Sequence, residues 1–160
     1  GHAAVGNLNL LENSLITDPK KRFQKKMGFI NFSELNEFTN QIIEKFNVKT
    51  TSASALASSL SGGNLQKFVV GREIAQKPAL FIVNQPTWGV DALSAANIRQ
   101  AIVEIANTGA AIILISQDLD EILKISNKVA FLTNGNLSTP TSTADIKTDE
   151  IGAIMGGVSA

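Results

Sequence analysis

The spacing of hydrophobic positions changes about half-way along the chain. In the first half they recur at helical intervals. Leu8, Leu11 and Leu15 form one short stripe, and "NFSELNEFTNQIIEKFNV" sets Phe32, Leu35, Phe38, Ile42 and Phe46 on a single face. Asn31 and Glu34 stand at the start of that run as a capping pair. Asp18-Pro19 gives another cap followed by a first-turn proline. A polar loop, "TTSASALASS", then leads into "SLSGGNLQKFVVGREIAQ", which reads as a long amphipathic helix opened by two glycines.

From Pro78 onward the pattern is different. "ALFIV" (79–83) and "AAIILIS" (110–116) are continuous apolar runs of strand length, the pattern of strands buried on both faces. "KVAFLT" (128–133) reads as a third strand, with helices at about 92–107 and 118–126 between them and one more at 143–155. Strand, helix, strand, helix, strand with short connectors predicts an α/β fold with a parallel sheet. The expected division is a helical subdomain over 1–76 and part of an α/β core over 77–160. In such a sheet ligands sit beyond the carboxyl ends of the strands. Here those ends are Asn84-Gln85, Ser116-Gln117 and the "TNGN" turn.

Composition narrows the chemistry. The 160 residues are 44% hydrophobic, enough for a sizeable core. Fourteen basic and fourteen acidic residues cancel, so no global field favours nucleic acid or an anionic membrane. With no cysteine and His2 as the one histidine, thiolate and histidine catalysis and most zinc sites are excluded, and no metal site is expected. Five basic residues between 20 and 26 read as a solvated face. The longest apolar run, Gly109–Ile115, is strand-sized and far below membrane-spanning length. The first residues lack the pattern of a secretory leader, and "GHAAVGNLNLLENSLI" reads like the interior of a domain. The expectation is a piece of a longer chain.

One stretch carries chemistry. A helix start presents unpaired N–H groups and partial positive charge, which suits an anion. Gly62 and Gly63 let a phosphate approach the backbone there, and Ser61 adds a hydroxyl donor. Alone, "SGG" before a helix says little. It is followed, in order and at short intervals, by "REIAQKPALFIV", "PTWGVD" and "ILISQDLDEI". Together these runs closely resemble the second half of an ABC-type ATPase domain. Leu60-Ser61-Gly62-Gly63-Asn64 matches the family's signature, Leu80 to Gln85 its Walker B strand and Trp88 to Asp91 its D-loop. Ser116-Gln117-Asp118 falls on the switch that usually carries histidine. The wording looks most like the C-terminal part of the second domain in tandem ATPase subunits of sugar and nucleoside importers.

The resemblance implies a partial P-loop NTPase core with parallel strands plus a helical, signature-bearing subdomain. A phosphate loop, GxxxxGK[ST], is absent from these residues, so self-sufficient ATP hydrolysis is not expected. Where the family has a metal-holding aspartate and a catalytic glutamate, this chain has Asn84 and Gln85, and Gln117 replaces the switch histidine. An amide is a poorer ligand for a hard cation than a carboxylate and cannot act as a general base near neutral pH. The signature is intact. In the family each signature serves the ATP held by a partner domain, so Ser61, Gly62, Gly63 and Asn64 are expected to meet phosphate in trans. Asp91 is expected at the same interface.

Gln66 and Lys67 are expected to support the turn, with Lys67 divided between phosphate-side electrostatics and solvation. Trp88 reads as interface packing. Asp118, Asp120 and Glu121 are explained by capping of a helix start. The resemblance further implies ATP and Mg2+ in the parent assembly, and a second nucleotide-binding domain and membrane permease subunits as partners. A solute-binding protein would take part indirectly and no nucleic acid is implied, with this chain cytoplasmic and peripheral on the inner face of the membrane through the permease subunits. Two alternatives remain beside it, a non-transport ABC protein and a non-catalytic structural or regulatory module.

Overall fold

Side-chain caps decide where the helices begin. Asn9 opens α1 (Leu10–Ile16) with a reciprocal pair: its side chain accepts the Glu12 N–H and the Glu12 carboxylate accepts its own N–H. Asn31 caps α2 (Phe32–Lys45), Ser61 caps α3 (Gly62–Ala75) and Asp91 caps α4 (Ala92–Asn107). Asp118 caps α5 (Leu119–Ile125), which supports the capping reading of that acidic run. This computed structural model describes residues 3–18, 21–25 and 28–146. The chain divides into two compact units, Gly1–Ile113 and Leu114–Ala160.

In the first unit α1 packs on α2, α2 on α3 and α3 on α4. Leu35, Phe38, Ile42 and Phe46 of the stripe are buried, as its spacing predicts. Phe32 is not. It occupies the first position of α2, beyond the packed surface, and is 66% exposed. Leu10 is fully buried, whereas Leu8, Leu11 and Leu15 are only partly covered, so the face of α1 is rotated from the expected one. Asp18 does not start a helix among the described residues. Its carboxylate accepts the Phe23 N–H at 3.1 Å and holds a turn instead. In the basic run, the Arg22 guanidinium lies over the Phe23 and Phe38 rings, 4.6 and 4.0 Å from their centroids.

The helix α3 departs from simple amphipathicity because it has packed neighbours in both α2 and α4. It buries Lys67, Phe68, Val70, Gly71, Arg72 and Ile74. At Gly71 a Cβ would stand 2.5 Å from the Phe46 ring, so glycine sets the approach of α3 to the end of α2. The Arg72 guanidinium is fully buried yet satisfied, donating to the Ala3 and Asn13 carbonyls at 2.8 and 3.2 Å and to Glu73 at 2.7 Å.

Strands β1 (Leu80–Asn84) and β2 (Ala111–Ile115) form a two-stranded parallel sheet joined through α4. Burial on both faces is not observed. Phe81 and Val83 are buried, but Leu80 and Ile82 on the other face are 53% and 60% exposed, because only one face is covered by the described residues. The second unit carries α5 and two short antiparallel ladders. The expected third strand is broken in two: β3 (Lys128–Val129) pairs with β6 (Thr141–Ser142), and β4 (Leu132–Thr133) pairs with β5 (Asn136–Leu137). The left-handed pair Asn134 and Gly135, φ 52° and 79°, makes the two-residue hairpin turn between β4 and β5. The predicted helix over 143–155 lies mostly outside the described residues.

Candidate functional site

The site is built from the first turns of α3 and the segment between β1 and α4. Ser61 is extended, φ −61° and ψ 155°, as an N-cap residue is. Its Oγ accepts the Asn64 backbone N–H at 3.4 Å and the Asn64 side-chain amide at 3.0 Å. Asn64 Oδ1 accepts the Lys49 backbone N–H at 2.9 Å, which fixes which end of the amide faces Ser61.

The two glycines do different work. A Cβ at Gly62 would meet nothing within 4 Å, so the backbone there is open. A Cβ at Gly63 would stand 2.6 Å from the Gly89 carbonyl oxygen, so Gly63 is required for packing. Gly89 itself has φ 71° and turns the chain toward Asp91.

Gln66 and Lys67 tie the same two segments together. Gln66 donates to the Gln85 and Pro86 carbonyls, each at 3.3 Å. Lys67 is 4% exposed, donates to the Asn47 carbonyl at 2.8 Å and lies 4.0 Å from the Asp91 carboxylate. It is therefore a buried support for the turn and not a solvated charge. Asp91 accepts the Ser94 hydroxyl at 2.6 Å and the Ser94 N–H at 3.0 Å. These bonds, the hydroxyl first, hold its carboxyl below the ordinary aspartate value, with Lys67 adding a small pull in the same direction.

Ser61, Gly62, Gly63, Asn64 and Asp91 thus belong to one cluster in the first unit. Gln85 borders it with a left-handed backbone, φ 50°, immediately before the buried Pro86, where such a conformation is costly. Asn84 is exposed at the end of β1, and Trp88 is 74% exposed. Gln117 is exposed in the second unit, in the bend before α5, where the Ser116 hydroxyl accepts the Asp118 N–H at 3.0 Å.

Sequence reading missed Asn47, Lys49 and Gly89 as members of the cluster. Asn47, φ 49°, follows the end of α2 in the position where asparagine often closes a helix, so "KFNV" held a usable signal for a helix stop. Nothing in the sequence connects that stop to Lys67.

Comparison with solved structures matches the fold to known proteins. A dimeric ATP-binding cassette in a post-hydrolysis state, bound to ADP and Pi, superposes with a TM-score of 0.74 at 19% identity, covering 88% of this chain and 59% of that one. The ATP-binding subunit of an ABC transporter gives a TM-score of 0.72 at 19% identity, covering 98% of this chain and 60% of that one. The fold is that of an ATP-binding cassette.

Sequence kinship is closer to one branch of cassette proteins. The nucleoside import ATP-binding protein NupA of Lactococcus lactis is 33% identical over 96% of this chain and 30% of its own length. A glucose import ATP-binding protein of Haloferax volcanii is 33% identical over 98% of this chain and 29% of its own. The galactose/methyl galactoside import ATP-binding protein MglA of Pasteurella multocida is 34% identical over 91% and 28%. The chain therefore spans under a third of the length of these curated relatives. No protein-family model matches it. Among the described residues no helix is long and apolar enough to cross a membrane.

Proposed function

We propose that this chain is the signature-bearing, C-terminal part of the second ATP-binding domain of an ABC importer subunit for simple sugars or nucleosides. Residues 1–76 are its helical subdomain and 77–160 part of its ATPase core. Its task is to complete an ATP site whose phosphate loop, magnesium ligands and general base come from another domain. The observation that carries this reading is the signature turn itself. Ser61 has a hydroxyl proton committed to no described group, Gly62 leaves the backbone open, and the whole turn is braced from behind by Gln66 and Lys67.

Those features fit a phosphate group of ATP. Fixed N–H and O–H donors aimed at a transferring phosphoryl group stabilise charge without reorganisation. Ser61, Gly62 and Gly63 would hold the nucleotide held by the partner, and Asp91 would help set the interface. The chain's own strand end fits poorly with magnesium or base chemistry, since Asn84 and Gln85 are neutral amides. Gln117 can hydrogen-bond but cannot take up or release a proton near neutral pH. ATP supplies the transferable phosphoryl group when bound. The assembly requires a second nucleotide-binding domain and membrane permease subunits on the cytoplasmic side, with a solute-binding protein acting indirectly. The transported solute is chosen by those other subunits.

The test places Ser61→Arg and Gly62→Asp in the full-length importer subunit. Each should abolish ATP turnover while nucleotide binding persists. Full turnover in either variant would contradict the proposal.

A further inference from the structure

Asn64 stands in the signature, where the sequence reading assigns it to phosphate. Its side chain is already committed. Oδ1 accepts the Lys49 N–H at 2.9 Å and Nδ2 donates to Ser61 Oγ at 3.0 Å. Because Lys49 offers a backbone donor, the amide cannot be turned round without setting N–H against N–H. Asn64 therefore always presents a donor to Ser61. The Asn64 backbone N–H also points at that oxygen, at 3.4 Å.

A serine hydroxyl has two acceptor lone pairs and one proton. At Ser61 both acceptor positions are taken by donors from Asn64, and among the described residues no group accepts its proton. Ser61 is exposed, which leaves that proton able to point outward, away from the two Asn64 donors. We infer that Asn64 is a positioning residue: it polarises Ser61 as a donor toward an incoming anion and does not itself bind the anion. This inference rests on the reading of the signature turn as a phosphate contact and names how that contact is prepared. It also explains why Lys49, outside the signature, belongs to the site: its N–H sets the orientation of Asn64.

The experiment is a sulfate titration of the 160-residue chain followed by amide NMR at Gly62 and Gly63. Sulfate is used because it is a phosphate-sized dianion whose charge stays constant across mild pH. Wild type, Ser61→Ala, Asn64→Leu and the double variant form a cycle of neutral substitutions. Ser61→Ala should weaken sulfate about tenfold, the weight of one hydrogen bond to a charged group. Asn64→Leu should weaken it several-fold in wild type and not at all in the Ser61→Ala background. Equal losses from Asn64→Leu in both backgrounds would overturn the inference while leaving the phosphate contact standing. Absence of sulfate shifts in wild type, or an unchanged affinity in Ser61→Ala, would overturn the phosphate reading and the inference with it.

If Asn64→Leu unfolds the chain, Asn64→Asp decides. Its carboxylate still accepts from Lys49 but turns the Ser61 proton inward. Its loss of affinity should therefore be smaller in the Ser61→Ala background, where only charge repulsion remains. Equal losses in the two backgrounds would overturn the inference.

Discussion

The signature turn and the strand ends differ in how their residues are held. Around the signature, four residues are tied to other segments: Gln66 on Gln85 and Pro86, Lys67 on Asn47, Asn64 on Lys49, and Gly63 packed against Gly89. At the strand ends, Asn84 and Gln117 are exposed and make no side-chain hydrogen bond among the described residues. Geometry enforced by packing cannot drift without cost. A side chain facing solvent can exchange an acid for an amide at almost none. The comparison teaches that the turn proposed to serve another domain's nucleotide is tied to neighbouring segments, while the side chains of Asn84 and Gln117 are not.

Six substitutions press on that difference. Gly63→Ala should be the most damaging, because its methyl group meets a backbone carbonyl that cannot swing aside. A loss of about 3 kcal/mol in urea unfolding is expected. Gly62→Ala is the matched control, and its stability should stay within about 0.5 kcal/mol of wild type. Equal effects of the two would show that the glycines are not distinguished as described. Lys67→Met comes next. It keeps the apolar stem but removes the charged donor to the Asn47 carbonyl, at a cost of about 2 kcal/mol in the same assay.

Asp91 gives a pH signature. Its carboxyl is held below the ordinary value in the folded chain, so folding favours the ionised form. That contribution is complete above the unfolded aspartate value and is lost as pH falls through the lower folded one. Asp91→Asn should therefore flatten the acid limb of the stability profile relative to wild type. Superimposable profiles would show that the Ser94 bonds do not favour the charged form. The smallest effect is expected at the strand end. Asn84→Asp and Gln85→Glu should each shift unfolding by no more than about 0.5 kcal/mol. A loss of several times that would mean the amides are built into the fold.

Much of this was legible in the sequence. The caps at Asn31 and Asp118, the helix over 92–107 and the two parallel strands follow from capping residues and apolar runs of strand length, whereas the N-cap roles of Ser61 and Asp91 were not read from it. The order of the signature, strand and D-loop runs pointed to the cassette. Three things were hidden for physical reasons. A continuous apolar run fixes neither which face is covered nor how much, so the exposure of Leu80 and Ile82 could not be read from "ALFIV". The break inside "KVAFLT" is set by antiparallel partners further along the chain. The support beneath Lys67 comes from the close of a helix twenty residues earlier, a contact that periodicity does not reveal.

The most direct test of the central claim is magnesium-dependent ATP hydrolysis by the repurified chain, first alone and then mixed with a segment that supplies the phosphate loop of the proposed importer subunit. The account predicts no turnover alone and turnover on mixing that disappears with Ser61→Arg. Substantial hydrolysis by these 160 residues alone, surviving further purification, would contradict it.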